Sequence, residues 1–171
     1  MKLIKFFYFA WVLSLAFPAN AETYLTKKDF LKLAFSDATQ AAAKTLWLDK
    51  TLQAEIKQIL DHRYPKLRLK YWQNQQQTVW FLEEIGKEKP ITFGVSIIDK
   101  KVHTIKVLAF RESRGWEIRY QSFTEQFDDI SVDSEGHLDK HIDGITGATM
   151  SVSAMKKITR LALMLDKKVT E

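Results

Sequence analysis

Between Leu67 and Phe110 the apolar residues recur at every second position, and this alternation limits the fold more than any other feature of the chain. Leu67, Leu69 and Tyr71 alternate with Arg68 and Lys70, the pattern of a half-buried strand. Val79 to Ile85 reads as a second strand, with Gln73 to Gln77 as the connection. Gly86 to Pro90 turns the chain, and Ile91, Phe93, Val95 and Ile97 then alternate on a third. Asp99-Lys100-Lys101 forms a charged hairpin turn, after which Val102 to Phe110 returns. The expectation is four antiparallel strands, 67–72, 79–85, 91–98 and 102–110.

On either side the period is helical. Thr26 with Asp29 three residues later is close to a capping box, and Phe30, Leu33 and Ala34 give an apolar stripe. An Ala-rich run from Asp37 to Lys44 ends at Trp47-Leu48. A second helix carries Leu52, Ile56, Ile59 and Leu60 and stops before Pro65. Glu117 to Phe127 reads as a helix packed on the sheet through Ile118, Phe123 and Phe127. From Val152 to Leu165, apolar residues at spacings of three and four define one buried helix face. The fold class is therefore α+β: a small antiparallel sheet of about four strands packed with helices, preceded by an N-terminal helical segment over residues 22–65. The core domain is expected at 66–171.

Residues 1–21 read as an export signal. Lys2 and Lys5 precede an apolar run from Phe6 to Phe17, and Ala19-Asn20-Ala21 fits a signal-peptidase site. The run is short for a membrane span, which needs about 20 residues. No Arg pair is present, so the route is expected to be Sec-type and the destination periplasmic, with a retained membrane anchor as the alternative. The chain has no cysteine. That excludes thiolate-held iron–sulfur clusters, c-type haem and thiol redox chemistry, so a redox role requires an external cofactor. The net charge of +5 falls by two when Lys2 and Lys5 leave. No basic patch interleaved with aromatics points to nucleic acid.

Just before the last helix stands Asp143-Gly144-Ile145-Thr146-Gly147-Ala148-Thr149-Met150-Ser151. Gly144 and Gly147 permit a tight turn and close approach. Thr149, Ser151 and Ser153 are residue types that cap helices. By its residues alone the stretch is either a capped helix after a turn or a helix N-terminus suited to a phosphate. It is not a Walker loop, having no Lys after the last Gly, and it lacks G-x-G-x-x-G spacing.

The segment Asp143 to Thr149 resembles the Asp-x-x-Ser/Thr-Gly-Ala-Thr signature of the FMN-binding domain family. This family includes subunits of sodium-pumping and Rnf-type membrane redox complexes and small exported flavoproteins. The resemblance implies FMN joined to Thr149 through a phosphoester, made from FAD by a dedicated flavin transferase. It carries Asp143, Thr146, Gly147 and Ala148 over as the surrounding motif. Met150 departs from the small or aliphatic residue common in the larger subunits. Arg111 to Glu117 stands where those subunits place a Glu-Thr-Pro-Gly-Leu-Gly stretch against the flavin. Glu112 and Gly115 correspond, the Pro and second Gly do not, and Trp116 replaces an aliphatic residue. The resemblance thus implies flavin contacts at Glu112, Gly115 and Trp116, with Arg114 and Arg119 as candidate partners for phosphate or the ring's pyrimidine oxygens.

Asp129, Ser131 and Asp133 look like a calcium loop, but Ser134 stands in place of the required Gly and Lys140 in place of the final Glu. His137 and His141 lack the carboxylate partners of a zinc site. No catalytic triad and no metal ligand set is singled out. The expectation is an exported electron carrier with covalent FMN, served by a flavin transferase and by membrane or periplasmic electron donors and acceptors. The N-terminal helices would pack on the sheet or dock a redox partner. A flavin-dependent reductase of a small-molecule or metal substrate, or a binding domain without cofactor, are the alternatives.

Overall fold

The alternating stretch forms the centre of a six-stranded antiparallel sheet. The computed structural model describes residues 22–35, 41–75 and 77–171, so the expected export signal over 1–21 lies outside the described residues. In chain order the elements are β1 (Glu22–Thr23), α1 (Lys27–Ala34), β2 (Ala42–Trp47), α2 (Lys50–Leu60), β3 (Arg68–Gln73), β4 (Gln77–Ile85), β5 (Pro90–Ile98), β6 (Lys101–Phe110), α3 (Gln121–Thr124) and α4 (Thr149–Thr170). The spatial order is β1-β6-β5-β4-β3-β2. The four strands expected from the alternation are β3 to β6, each within two residues of its expected ends.

Two strands beyond those four come from the N-terminal stretch, which is not helical throughout. β1 pairs with the end of β6, Glu22 opposite Phe110. β2 pairs along its whole length with β3, from Ala42 opposite Gln73 to Trp47 opposite Arg68. The Ala-rich run thus ends in a strand. Alanine favours a helix only weakly over other residues, and pairing with β3 overrides that preference. The expected helix over 117–127 is also broken, into 3-10 turns at Trp116–Arg119 and Glu125–Phe127 on either side of the four-residue α3. Ile118 and Phe123 are five residues apart, which one straight helical stripe does not bury together. Extended backbone at Tyr120 (φ −63°, ψ 143°) makes the break.

The sheet is covered on both sides. On one, α4 lies over β4, β5 and β6 and packs beside α2. Met155, Ile158, Leu161, Ala162 and Leu165 are fully buried, against Trp80, Phe93, Val95, Ile105 and others. Each such Ile or Leu contributes about 2 kcal/mol by leaving water. A buried polar pin joins helix to sheet: the Thr78 hydroxyl donates to Asp166 at 2.5 Å, and Trp80 Nε1 donates to Thr78 Oγ1 at 2.9 Å. Burial pushes the Asp166 carboxyl above the usual range. Lys157 closes the α2–α4 edge by donating to the Leu60 carbonyl at 2.9 Å and pairing with Asp61 at 2.7 Å.

On the other side sits α1. Its start is the expected capping pair: Thr26 Oγ1 accepts from the Asp29 amide at 3.1 Å and its hydroxyl donates to the Asp29 carboxylate at 2.6 Å. Phe30 is fully buried and lies directly over Gly94. A Cβ at Gly94 would come within 2.8 Å of the Phe30 ring. Substituting Gly94→Ala is expected to cost about 1–3 kcal/mol through overpacking. Urea unfolding measures it, and adding Phe30→Leu, which shortens the obstructing side chain, is expected to make the two costs less than additive.

Candidate functional site

The loop before α4 is fastened at both ends. The Asp143 amide donates to Gln126 Oε1 at 2.8 Å, and the Ala148 amide donates to the Ile145 carbonyl at 2.9 Å, closing a turn over Thr146 and Gly147. Gly147 has φ +83°, the third-position geometry for which a type II turn requires glycine. Ile142, three residues before that turn, is buried, and its carbonyl accepts from Lys156 Nζ at 2.9 Å. The loop is therefore held against α4 from its own second turn.

Thr149 is the first helical residue, and Ala148 stands at the cap position with no side-chain cap bond. This corrects the expectation that Thr149, Ser151 and Ser153 cap the helix. The turn at Gly147 brings the chain in with its hydroxyl residues already inside the helix. Ser151 is buried, while Thr149 and Met150 are exposed. The first turn of a 22-residue helix thus meets solvent without a capping side chain and with a threonine hydroxyl at its edge. Space around Gly144 and Gly147 is open. Uncapped N–H groups and the positive dipole end together suit an anion.

The segment after β6 closes on the same place. Gly115 has φ +86°, and a Cβ there would collide with the Ser151 side chain and lie 3.4 Å from Ala148 Cβ. That contact sets Trp116 beside the helix start. Trp116 is a surface residue with its ring edge-to-face on Tyr120, centroids 5.4 Å apart. The Arg119 guanidinium lies 4.2 Å from the Tyr24 ring centre and 4.9 Å from that of Trp116, and it faces Glu22 at 3.7 Å. Tyr24, Tyr120 and Gln126 are neighbours that sequence reasoning missed. Only tertiary contact brings Tyr24 to Arg119, and no local pattern marks it.

Glu112 is placed differently. Its Oε1 accepts from the amides of Lys87, Glu88 and Lys89 at 2.6, 2.6 and 2.8 Å, so it ties the β4–β5 turn to the end of β6. It shares with Trp116, Arg119 and Tyr24 a shallow pocket of about 260 Å³. Asp143 is exposed and lies 3.7 Å from His141. Arg114 is exposed. The structure therefore sets Gly115 against Ala148 and Ser151 at the start of α4, and places Glu112 with Trp116 in the pocket beside them while its Oε1 also holds the β4–β5 turn. A larger pocket, about 630 Å³, is elsewhere, lined by Arg160, Met164 and Lys167 toward the far end of α4. At 1.5 Å per residue it begins about 17 Å along the helix from Thr149.

Residues 86–164 match the model of the FMN-binding domain family. The chain carries an FMN-binding domain. No curated protein and no solved structure matches it. The matched residues of the FMN-binding domain hold β5, β6, the Gly115–Trp116 segment, the 143–148 loop and most of α4. Both halves of the site just described fall inside it. The residues present fit the phosphate end of FMN: an uncapped helix start, an exposed hydroxyl, and no side chain crowding the two loop glycines.

Two outcomes are expected of this geometry. Gly115→Ala should lose about 2 kcal/mol or more, from left-handed backbone and the Ser151 collision together. Adding Ser151→Ala should restore only the steric part, read as urea midpoints. At Glu112, burial acts to raise the carboxyl, but the three amide bonds outweigh it and hold the group below its ordinary value of 4.5. A lowered carboxylate contributes stability that is complete above that value and lost as pH falls through the folded value. Glu112→Gln should therefore flatten the fall in urea midpoint below about pH 4.5.

Proposed function

We propose that the chain is an exported flavoprotein that carries FMN covalently on Thr149 and passes electrons between membrane or periplasmic partners. The observation carrying this reading is the exposed Thr149 hydroxyl at an uncapped helix start inside the FMN-binding domain. A hydroxyl there is reachable by a second protein, which a buried one is not.

In the attachment step, Thr149 Oγ forms a bond to the FMN phosphorus of FAD. The bond between the two phosphates breaks, AMP leaves, and the hydroxyl proton passes to a base of the flavin transferase. The chain's own part is conformational. Gly147 takes the left-handed backbone that turns the chain into α4, and Gln126 and Lys156 hold the loop in place. The helix start then stabilises the phosphodiester charge by about 0.3–1 kcal/mol. Trp116 supplies an aromatic face worth about 1 kcal/mol beyond burial if stacked on a ring. The flavin, when bound, supplies the redox chemistry, and the protein holds it and tunes its environment.

Intact mass tests the reading. Protein from a host that exports it and has the transferase should gain the mass of FMN less one water, and Thr149→Val should abolish the gain. An unmodified mass, with the transferase active on another substrate in the same cells, would overturn covalent attachment.

A further inference from the structure

The sheet face bearing α1 is only half covered. Phe30 and Ala34 pack over Val79, Phe81 and Leu108, and among the described residues no helix covers the part of this face formed by β2 and β3. Trp72 belongs to that face, since it opposes Val79 and meets Phe81 edge-on at 5.2 Å. The alternation places Arg68 and Lys70 beside it, and the register sets Trp47 opposite Arg68 and Thr45 opposite Lys70. Trp47 is 65% exposed, with the Arg68 guanidinium 5.6 Å from its ring centre. On α1, Lys28 and Lys32 are exposed on the side away from Phe30, and Leu33 is 57% exposed.

The charge is one-sided. On this face β2 and β3 present Arg68 and Lys70 and no acid, while Lys44, opposite Tyr71, belongs to the other face. The neighbouring acids are already engaged, Asp29 with Thr26 at 2.6 Å and Glu83 with Lys66 at 2.9 Å. Lysine on an edge strand guards against strand addition, which accounts for Lys44 but not for an exposed tryptophan among cations.

We propose that this face docks on an anionic phospholipid surface. A basic face complements the headgroup charge, and each Lys or Arg near such a surface adds to the attraction. Tryptophan sits well at headgroup depth, with its ring in the boundary and a cation beside it. Trp47 and Leu33 stand singly between cations and form no continuous apolar centre, unlike the buried middle of a protein–protein interface. No helix among the described residues is long and apolar enough to cross a membrane. It is independent of the flavin reading.

Sedimentation of the purified exported protein with vesicles tests it. Vesicles of phosphatidylglycerol and phosphatidylethanolamine should carry the protein down at low salt and release it at high salt, and pure phosphatidylcholine vesicles should not bind it. Arg68→Gln with Lys70→Gln should weaken partitioning about thirtyfold, and Trp47→Ser should weaken it further, with circular dichroism unchanged. Equal binding to phosphatidylcholine, or a double variant that partitions like the parent, would overturn the proposal. So would binding to immobilised polyglutamate with none to vesicles, which would identify an acidic protein as the partner.

Discussion

The packing of α4 across β4, β5 and β6 is the constraint on which the rest depends. Its buried apolar face supplies much of the larger core, and the Thr78–Asp166 bond fixes its position on the sheet. Because the helix is held along its length, its first turn has a fixed place. The loop bearing Asp143 and Thr146 can then be tied to the helix by Lys156, and Gly115 can press against Ser151 in the first turn. A site made of backbone amides and one hydroxyl needs this rigidity, since its few groups have no deep cavity to orient them.

The same constraint explains why the larger of the two pockets and the FMN-binding motif do not coincide. Toward the far end of α4 a cleft of mixed charge lies between that helix, α2, the 99–101 turn and the 131–136 loop. The near end is closed by Ala148, Val152 and the Gly115 segment, so what remains there is a shallow surface edged by Trp116 and Met150. The covalent attachment proposed at Thr149 would not need enclosure for retention.

How legible each part was follows from its range in sequence. The core strands were readable because short apolar runs between Leu69 and Phe110, mostly alternating, are set apart by polar turns, and α4 because its stripe runs for four turns. The motif residues were readable because they are contiguous. β2 was not, since Ala-Ala-Lys-Thr carries no period-two signal and becomes a strand only through β3, some 25 residues later. The hairpin turn was placed correctly, but its geometry was not foreseen: Asp99 and Lys100 both take left-handed backbone, φ 51° and 64°, in a tight two-residue turn that usually calls for glycine. The bonds from the amides of Lys87 to Lys89 to Glu112 Oε1 were not legible either, because they join segments more than 20 residues apart.

By itself the sequence determined the α+β class, the central strands, the final helix and the contiguous Asp143–Thr149 motif, because each is written in local periodicity or in adjacent residues. Tertiary structure decided the six-strand order and the capless start of α4. It decided too the meeting of Gly115 with Ser151, the Arg119 cluster with Tyr24, and the bare basic face beside α1. Those depend on which surfaces pack together, and a chain discloses that only once its long-range contacts have formed.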